Sequence, residues 1–137
     1  MPDKKGAVLA CVTGQYECDR IIKAARRIAD EQETEMRVIS VVTSFKSYTA
    51  IADRIEYLHH VSKKAGSDMT VVFAPDAPRT VSEFVHKNNI TQIITGMHDG
   101  GSDSFLVRFN RLSPDTAITM VSEDKKIYSM ELCRKKA

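Results

Sequence analysis

Five short apolar runs alternate along the chain with segments whose apolar residues recur at helical spacing. The first run, Ala7-Val8-Leu9-Ala10-Cys11-Val12, has no polar interruption, as expected of a strand covered on both faces. Thr13-Gly14-Gln15 turns the chain. From Cys18 onward, Ile21, Ile22, Ala25, Ile28 and Ala29 share one helical face, while Arg20, Lys23, Arg26, Arg27 and Asp30 lie mostly elsewhere on the wheel. Glu31 to Glu35 is a polar connection to a second strand, Met36 to Val42. Thr43-Ser44-Phe45-Lys46-Ser47 has loop composition, with Ser47 or Thr49 placed to cap a second helix. That helix buries Ile51, Ile55, Leu58 and Val61 and carries Tyr48 and Tyr57 near its edges, and Gly66 stops it. Met69 to Phe73 is a third strand, closed by Ala74-Pro75-Asp76-Ala77-Pro78, whose two prolines forbid a continued ladder. Val81, Phe84 and Val85 mark a short third helix that ends near Asn88-Asn89.

The most informative stretch follows. Ile90, Ile93 and Ile94 form a fourth buried strand ended by Gly96; Gly100 and Gly101 then shape a loop, and Ser102, Asp103 and Ser104 offer caps to the apolar start Phe105-Leu106-Val107 of a fourth helix. A helix begun there turns unpaired N–H groups and the positive end of its dipole toward the loop, which suits a phosphate. The fourth helix ends by Pro114, and Thr116 to Val121 is a fifth strand. From Lys125 to Ala137 the alternation is weak, and this tail either adds an edge strand, docks on the body or pairs with a second subunit.

Strands alternating with helices imply right-handed crossovers and a parallel sheet, hence a three-layer α/β sandwich. The chain is expected to be one domain over residues 1–137, with its core at 6–122 and a C-terminal tail at 123–137. For five parallel strands in the order 3-2-1-4-5, ligands collect where chain order reverses, between strands one and four. The two loops leaving those strands, Thr13-Gly14-Gln15 and Gly96 to Ser104, are the most ligand-shaped segments of the chain.

Composition narrows the field. With 137 residues, 20 basic and 18 acidic, the net charge of +2 is too balanced to indicate a nucleic-acid partner. The basic ends, Lys4-Lys5 and Arg134-Lys135-Lys136, are read as solvated termini. No apolar stretch reaches membrane-spanning length and the N-terminus lacks a signal-peptide core, so a cytoplasmic location is expected. The 3 cysteines, Cys11, Cys18 and Cys133, have neither zinc spacing nor the even count of a disulfide framework and are read as thiols. His59, His60 and His86 do not converge on a metal shell, and no nucleophile elbow or carboxylate pair is evident. No catalytic residue and no metal are therefore assigned. A receiver domain is excluded because Thr13-Gly14-Gln15 and Gly96-Met97-His98 supply neither its acidic pair nor its lysine. A flavodoxin is disfavoured because no aromatic pair flanks a flavin site.

Three passages resemble a universal stress protein domain, in particular the version in the cytoplasmic part of potassium-responsive sensor histidine kinases. They are Val8 to Gln15 followed by Ile21 to Ala29; Asn89 to Gly96; and Arg111-Leu112-Ser113-Pro114-Asp115 leading into the last strand. The resemblance implies the α/β arrangement shared with adenine nucleotide alpha hydrolases, and a crevice in which many members bind ATP. Gly96 fits the first position of the family's ATP signature, whereas Asp99 stands at the second and Asn110-Arg111 where Gly-Ser is usual. Some sensor-kinase members recognise cyclic di-adenylate through Ser-x-Ser after strand one and Phe-Thr-Ala-x-Tyr on strand two, twenty residues later. Here Thr13-Gly14-Gln15 precedes Met36-Arg37-Val38-Ile39-Ser40 at the same spacing, with Thr13 and Gln15 keeping hydrogen-bonding groups and Ser40 lacking the ring. The ligand-binding set implied is Thr13, Gly14, Gln15, Ser40, Val41, Gly96, Met97, His98, Gly100, Gly101, Ser102 and Ser104, for ATP, AMP or cyclic di-adenylate. The expected role is that of a sensor module in signal transduction or stress response, acting as a homodimer in a histidine-kinase or transporter context. Its alternative is a dimerisation scaffold of the same fold that has lost its nucleotide.

Overall fold

The computed structural model describes residues 6–97 and 105–130. Strand β1 (Ala7–Cys11) leads through a 3-10 turn (Tyr16–Cys18) into helix α1 (Asp19–Gln32), followed by β2 (Glu35–Val42), α2 (Phe45–Lys64), β3 (Met69–Phe73), α3 (Ala77–Lys87), β4 (Ile90–Gly96), α4 (Phe105–Leu112), β5 (Ala117–Val121) and β6 (Ile127–Met130). The sheet order is β3-β2-β1-β4-β5-β6. The five parallel strands and their order agree with the reading of the sequence. A sixth strand is added: β6 runs antiparallel on β5, with Ile127 opposite Val121, so the tail covers the β5 edge.

Central β1 is apolar throughout because it is covered twice. Val8 and Ala10 face a core built with Ile21, Ile22 and Ala25 of α1 and Ile55 and Leu58 of α2. Leu9 faces the opposite core, built with Val81 and Val85 of α3 and Leu106 and Phe109 of α4. Alternation along the strand thus feeds two helical layers. Phe109, among the largest fully buried side chains, anchors α4 against the sheet.

Helix boundaries depart from expectation where capping chemistry decides. Helix α2 starts at Phe45 rather than after Ser47 or Thr49, because the Ser44 hydroxyl accepts the Lys46 N–H at 3.1 Å and satisfies a first-turn donor. Helix α3 starts at Ala77, its first turn admitting Pro78, whose missing N–H costs nothing there. Gly66, at φ +83°, closes α2 in the left-handed region as expected.

Candidate functional site

The carboxyl ends of β1, β2 and β4 open into a cavity of about 310 Å³. Its sheet-side wall is Cys11, Val12 and Thr13 from the end of β1, Ile39 and Val41 from β2 with Thr43 just beyond it, and Thr95 from β4. Its outer wall is Ala77 and Val81 of α3 and Phe105 of α4. Four small polar groups, the Thr13, Thr43 and Thr95 side chains and the Cys11 thiol, are set in an otherwise apolar lining without a charged residue. A site of this volume and composition suits a flat, uncharged ring system with a few hydrogen-bonding edges. Burial pushes the Cys11 thiol well above its ordinary range, so Cys11 stands as a neutral thiol rather than a nucleophile.

The two helical walls are tied together at the mouth. Asp76, the N-cap of α3, accepts the Arg79 N–H at 3.3 Å and a bond from Arg108 Nη2 of α4 at 2.9 Å. The Arg79 backbone donor, with the Arg108 guanidinium and the charges of both arginines, holds the Asp76 carboxyl below its usual range. This ion pair joins the N-terminus of α3 to α4, the two helices that supply Ala77 and Phe105 to the cavity wall.

The residues expected at the site divide by position. Thr13 and Val41 line the cavity. Gly14 is buried, but its missing side chain makes room for α2: a Cβ there would lie 2.9 and 3.0 Å from Ile51 Cβ and Cγ1. Gln15 is exposed and borders a neighbouring depression with Tyr16, Glu17 and Arg54, whose Nη1 donates to the Gly14 carbonyl at 3.2 Å. Ser40 is buried at 1 % exposure and is not part of the cavity lining, unlike its neighbours Ile39 and Val41; alternation along β2 sends successive side chains to opposite faces. Gly96 and exposed Met97 stand at the end of β4, Gly96 against Arg20 and Ile21 of α1. His98, Gly100, Gly101, Ser102 and Ser104 lie outside the described residues.

Sequence reading missed Cys11, Val12, Ile39, Thr43, Thr95, Ala77, Val81 and Phe105 as cavity walls. Thr95 and Thr43 carried a signal, since each is a hydroxyl at the carboxyl end of an apolar strand. Ala77, Val81 and Phe105 carried none, because their helical spacing reads as core. Among the described residues, no cluster of His, Cys, Asp and Glu is arranged to hold a metal, and no helix is long and apolar enough to cross a membrane.

Comparison with known proteins adds to this picture. No family model matches the chain. Over 89 residues, 65% of its length, the chain is 26% identical to "Sensor protein KdpD" of Mycobacterium tuberculosis, in strains CDC 1551 / Oshkosh and H37Rv. It spans 10% of the length of these relatives. Among solved structures it is similar to a universal stress protein from Archaeoglobus fulgidus, at TM-score 0.66 and 10% identity over 84% of this chain and 92% of the other. A universal stress protein in complex with cAMP matches at TM-score 0.66 and 13% identity, covering 88% and 99%. The A. fulgidus protein in complex with dAMP matches at TM-score 0.61 and 13% identity, covering 82% and 94%. The chain therefore has the universal stress protein fold, as its sequence resemblance implied.

Proposed function

We propose that this chain, with the fold of the universal stress proteins, is a regulatory module that binds an adenine nucleotide over the carboxyl ends of β1, β2 and β4. The observation that carries the reading is the cavity itself. It lies at the reversal of chain order, its apolar walls match the faces of a purine, and Thr13, Thr43 and Thr95 offer hydroxyl oxygens to the ring edges, that of Thr95 as an acceptor because it donates to the Gly96 carbonyl at 2.9 Å. Solved relatives of the same fold in complex with cAMP and dAMP support it. Because no charged side chain lines the cavity, the base enters and the phosphates remain toward the mouth. Similarity to a sensor protein supports a signalling role; the reading is completed by a cytoplasmic location, action through binding rather than turnover, and a homodimer.

Calorimetry and thermal denaturation with AMP, cAMP, ATP and cyclic di-adenylate test the reading. A ligand of the native state stabilises it by about 2.7 kcal/mol at a hundredfold excess over its dissociation constant, so the melting temperature rises with concentration. Absence of any shift with all four nucleotides at millimolar concentration refutes it. Exposed Ile127 and Tyr128 on edge strand β6 favour the alternative, a scaffold that dimerises without a nucleotide. A stable dimer in solution together with no nucleotide response is its signature.

A further inference from the structure

A second concavity lies on the other helical layer, between α1 and the hairpin of β5 and β6, with a volume of about 220 Å³. Four cations surround it: Arg20, Lys23 and Arg27 from α1 and Lys125 from the hairpin turn. Its apolar surface is Ala24, Val121 and Ile127. The α1 residues fall at i, i+3, i+4 and i+7, so a single helical face presents them. This concentration of positive charge is local, since the whole chain carries a net charge of only +2.

Arg20 is held in place, and the four cations are little neutralised. Arg20 donates Nε to the Ser122 carbonyl at 2.9 Å, Nη1 to the Glu17 carbonyl at 2.8 Å and Nη2 to the Val121 carbonyl at 3.4 Å. All three acceptors are neutral, so the guanidinium is oriented while its charge stays uncompensated. Lys23 has a loose contact with Asp19 at 3.8 Å. Among the described residues, no carboxylate lies within ion-pair distance of Arg20, Arg27 or Lys125. The turn carries two acids, Glu123, which is exposed and not within ion-pair distance of these cations, and Asp124, which is engaged by the Ser122 hydroxyl and by Lys126 Nζ at 3.7 Å. Ser122 also closes the turn, donating its N–H to the Lys126 carbonyl at 2.9 Å and accepting the Lys126 N–H at 3.0 Å. Lys125 is thereby fixed at φ +69° at the rim of the groove.

We propose that this groove binds a small, multiply charged phosphate ligand, separately from the nucleotide cavity. Guanidinium forks match phosphate oxygens in pairs, and three uncompensated cations call for more than one negative charge. The apolar surface of Ala24, Val121 and Ile127 accommodates the uncharged remainder of an ester. The groove exists only because β6 folds back on β5, which brings Lys125 and Ile127 opposite α1.

The test is an NMR titration of the full chain with inorganic pyrophosphate in about 0.15 M sodium chloride, where diffuse surface attraction is largely screened. Saturable shifts are expected at the Ala24, Val121 and Ile127 amides, with acetate at equal ionic strength producing none. Arg27→Ala with Lys125→Ala weakens binding about tenfold or more, the loss that one or two charge-assisted bonds carry. Lys125→Gln, a single exposed substitution in the turn, reports the same direction if the double variant is unstable. Shifts that never saturate, that move to Thr13 and Val41, that acetate reproduces, or that survive these substitutions overturn the proposal. Thermal shifts with AMP stay as in the parent chain, which separates this site from the cavity.

Discussion

Gly14→Ala is a sharp test of how the crevice loop is built. A Cβ at this position would lie 2.9 Å from Ile51 Cβ and 3.0 Å from Ile51 Cγ1, against an optimal carbon–carbon separation of about 3.5–4.0 Å. Rotating Ile51 relieves the outer carbons but not its Cβ, so part of α2 must move. That helix also touches the loop through Arg54 and the Gly14 carbonyl at 3.2 Å, and Ile51 packs against the α1 and α2 core. Forcing a methyl group into such a contact costs about 1–3 kcal/mol. Opposing it, replacement of glycine by alanine at a backbone geometry alanine tolerates returns about 0.4–1 kcal/mol by stiffening the unfolded chain. Gly14 is not among the glycines with positive φ, so this return applies. At the middle of both ranges the steric term wins, and the expected net destabilisation is about 1.3 kcal/mol. Urea denaturation reads it as a lower midpoint with unchanged slope. Adding Ile51→Ala removes Cγ1, Cγ2 and Cδ1, which leaves the Cβ contact but frees α2 to shift, and the double-mutant cycle should show favourable coupling of about 0.5 kcal/mol or more. A Gly14→Ala variant as stable as the parent, or a cycle with no coupling, refutes the claim that Ile51 is why this residue is glycine.

Four further outcomes follow from the structure. Val41→Phe adds bulk at the wall of the cavity and should abolish the nucleotide-induced thermal shift while the circular dichroism stays native; an unaltered shift places the nucleotide elsewhere. Phe109→Ala empties a fully buried position and should cost about 3–5 kcal/mol in urea denaturation. The Asp76 carboxyl has a folded-state pKa below its unfolded one. Its contribution to stability is therefore complete above the unfolded value of about 3.9 and lost as pH falls through the folded value. Asp76→Asn, which keeps a capping group, should show less loss of stability across that acid window when urea midpoints are compared. The Cys11 thiol, pushed up by burial, should react with iodoacetamide at pH 8 far more slowly than a free thiol, as followed by mass spectrometry of its peptide, and faster in urea.

Much of the architecture is written in local patterns. Ala7 to Val12 is a short apolar run that admits little besides a buried strand, Met69 to Phe73 reads as a strand that the fold places at the sheet edge, and the Ile21, Ile22, Ala25, Ile28, Ala29 stripe has a period only a helix can bury. Their alternation implies a parallel sheet with right-handed crossovers, and the tertiary structure has its reversal between β1 and β4. Periodicity reports on each element's own neighbours along the chain; the expected strand order places Thr13 near the crevice, and the family resemblance places Val41 there. Three matters lay beyond these readings. Ser44 rather than Ser47 caps α2, a choice between hydroxyls that backbone geometry makes. Gly14 is shaped by Ile51, thirty-seven positions along the sequence. Ala77, Val81 and Phe105 close a cavity whose other side is built from three different strands. Hydrophobic spacing decides which side chains leave water, because that depends on the chain's own repeat. Which of them then meet, and what space they leave, depends on how whole helices dock on the sheet, and only the tertiary structure carries that information.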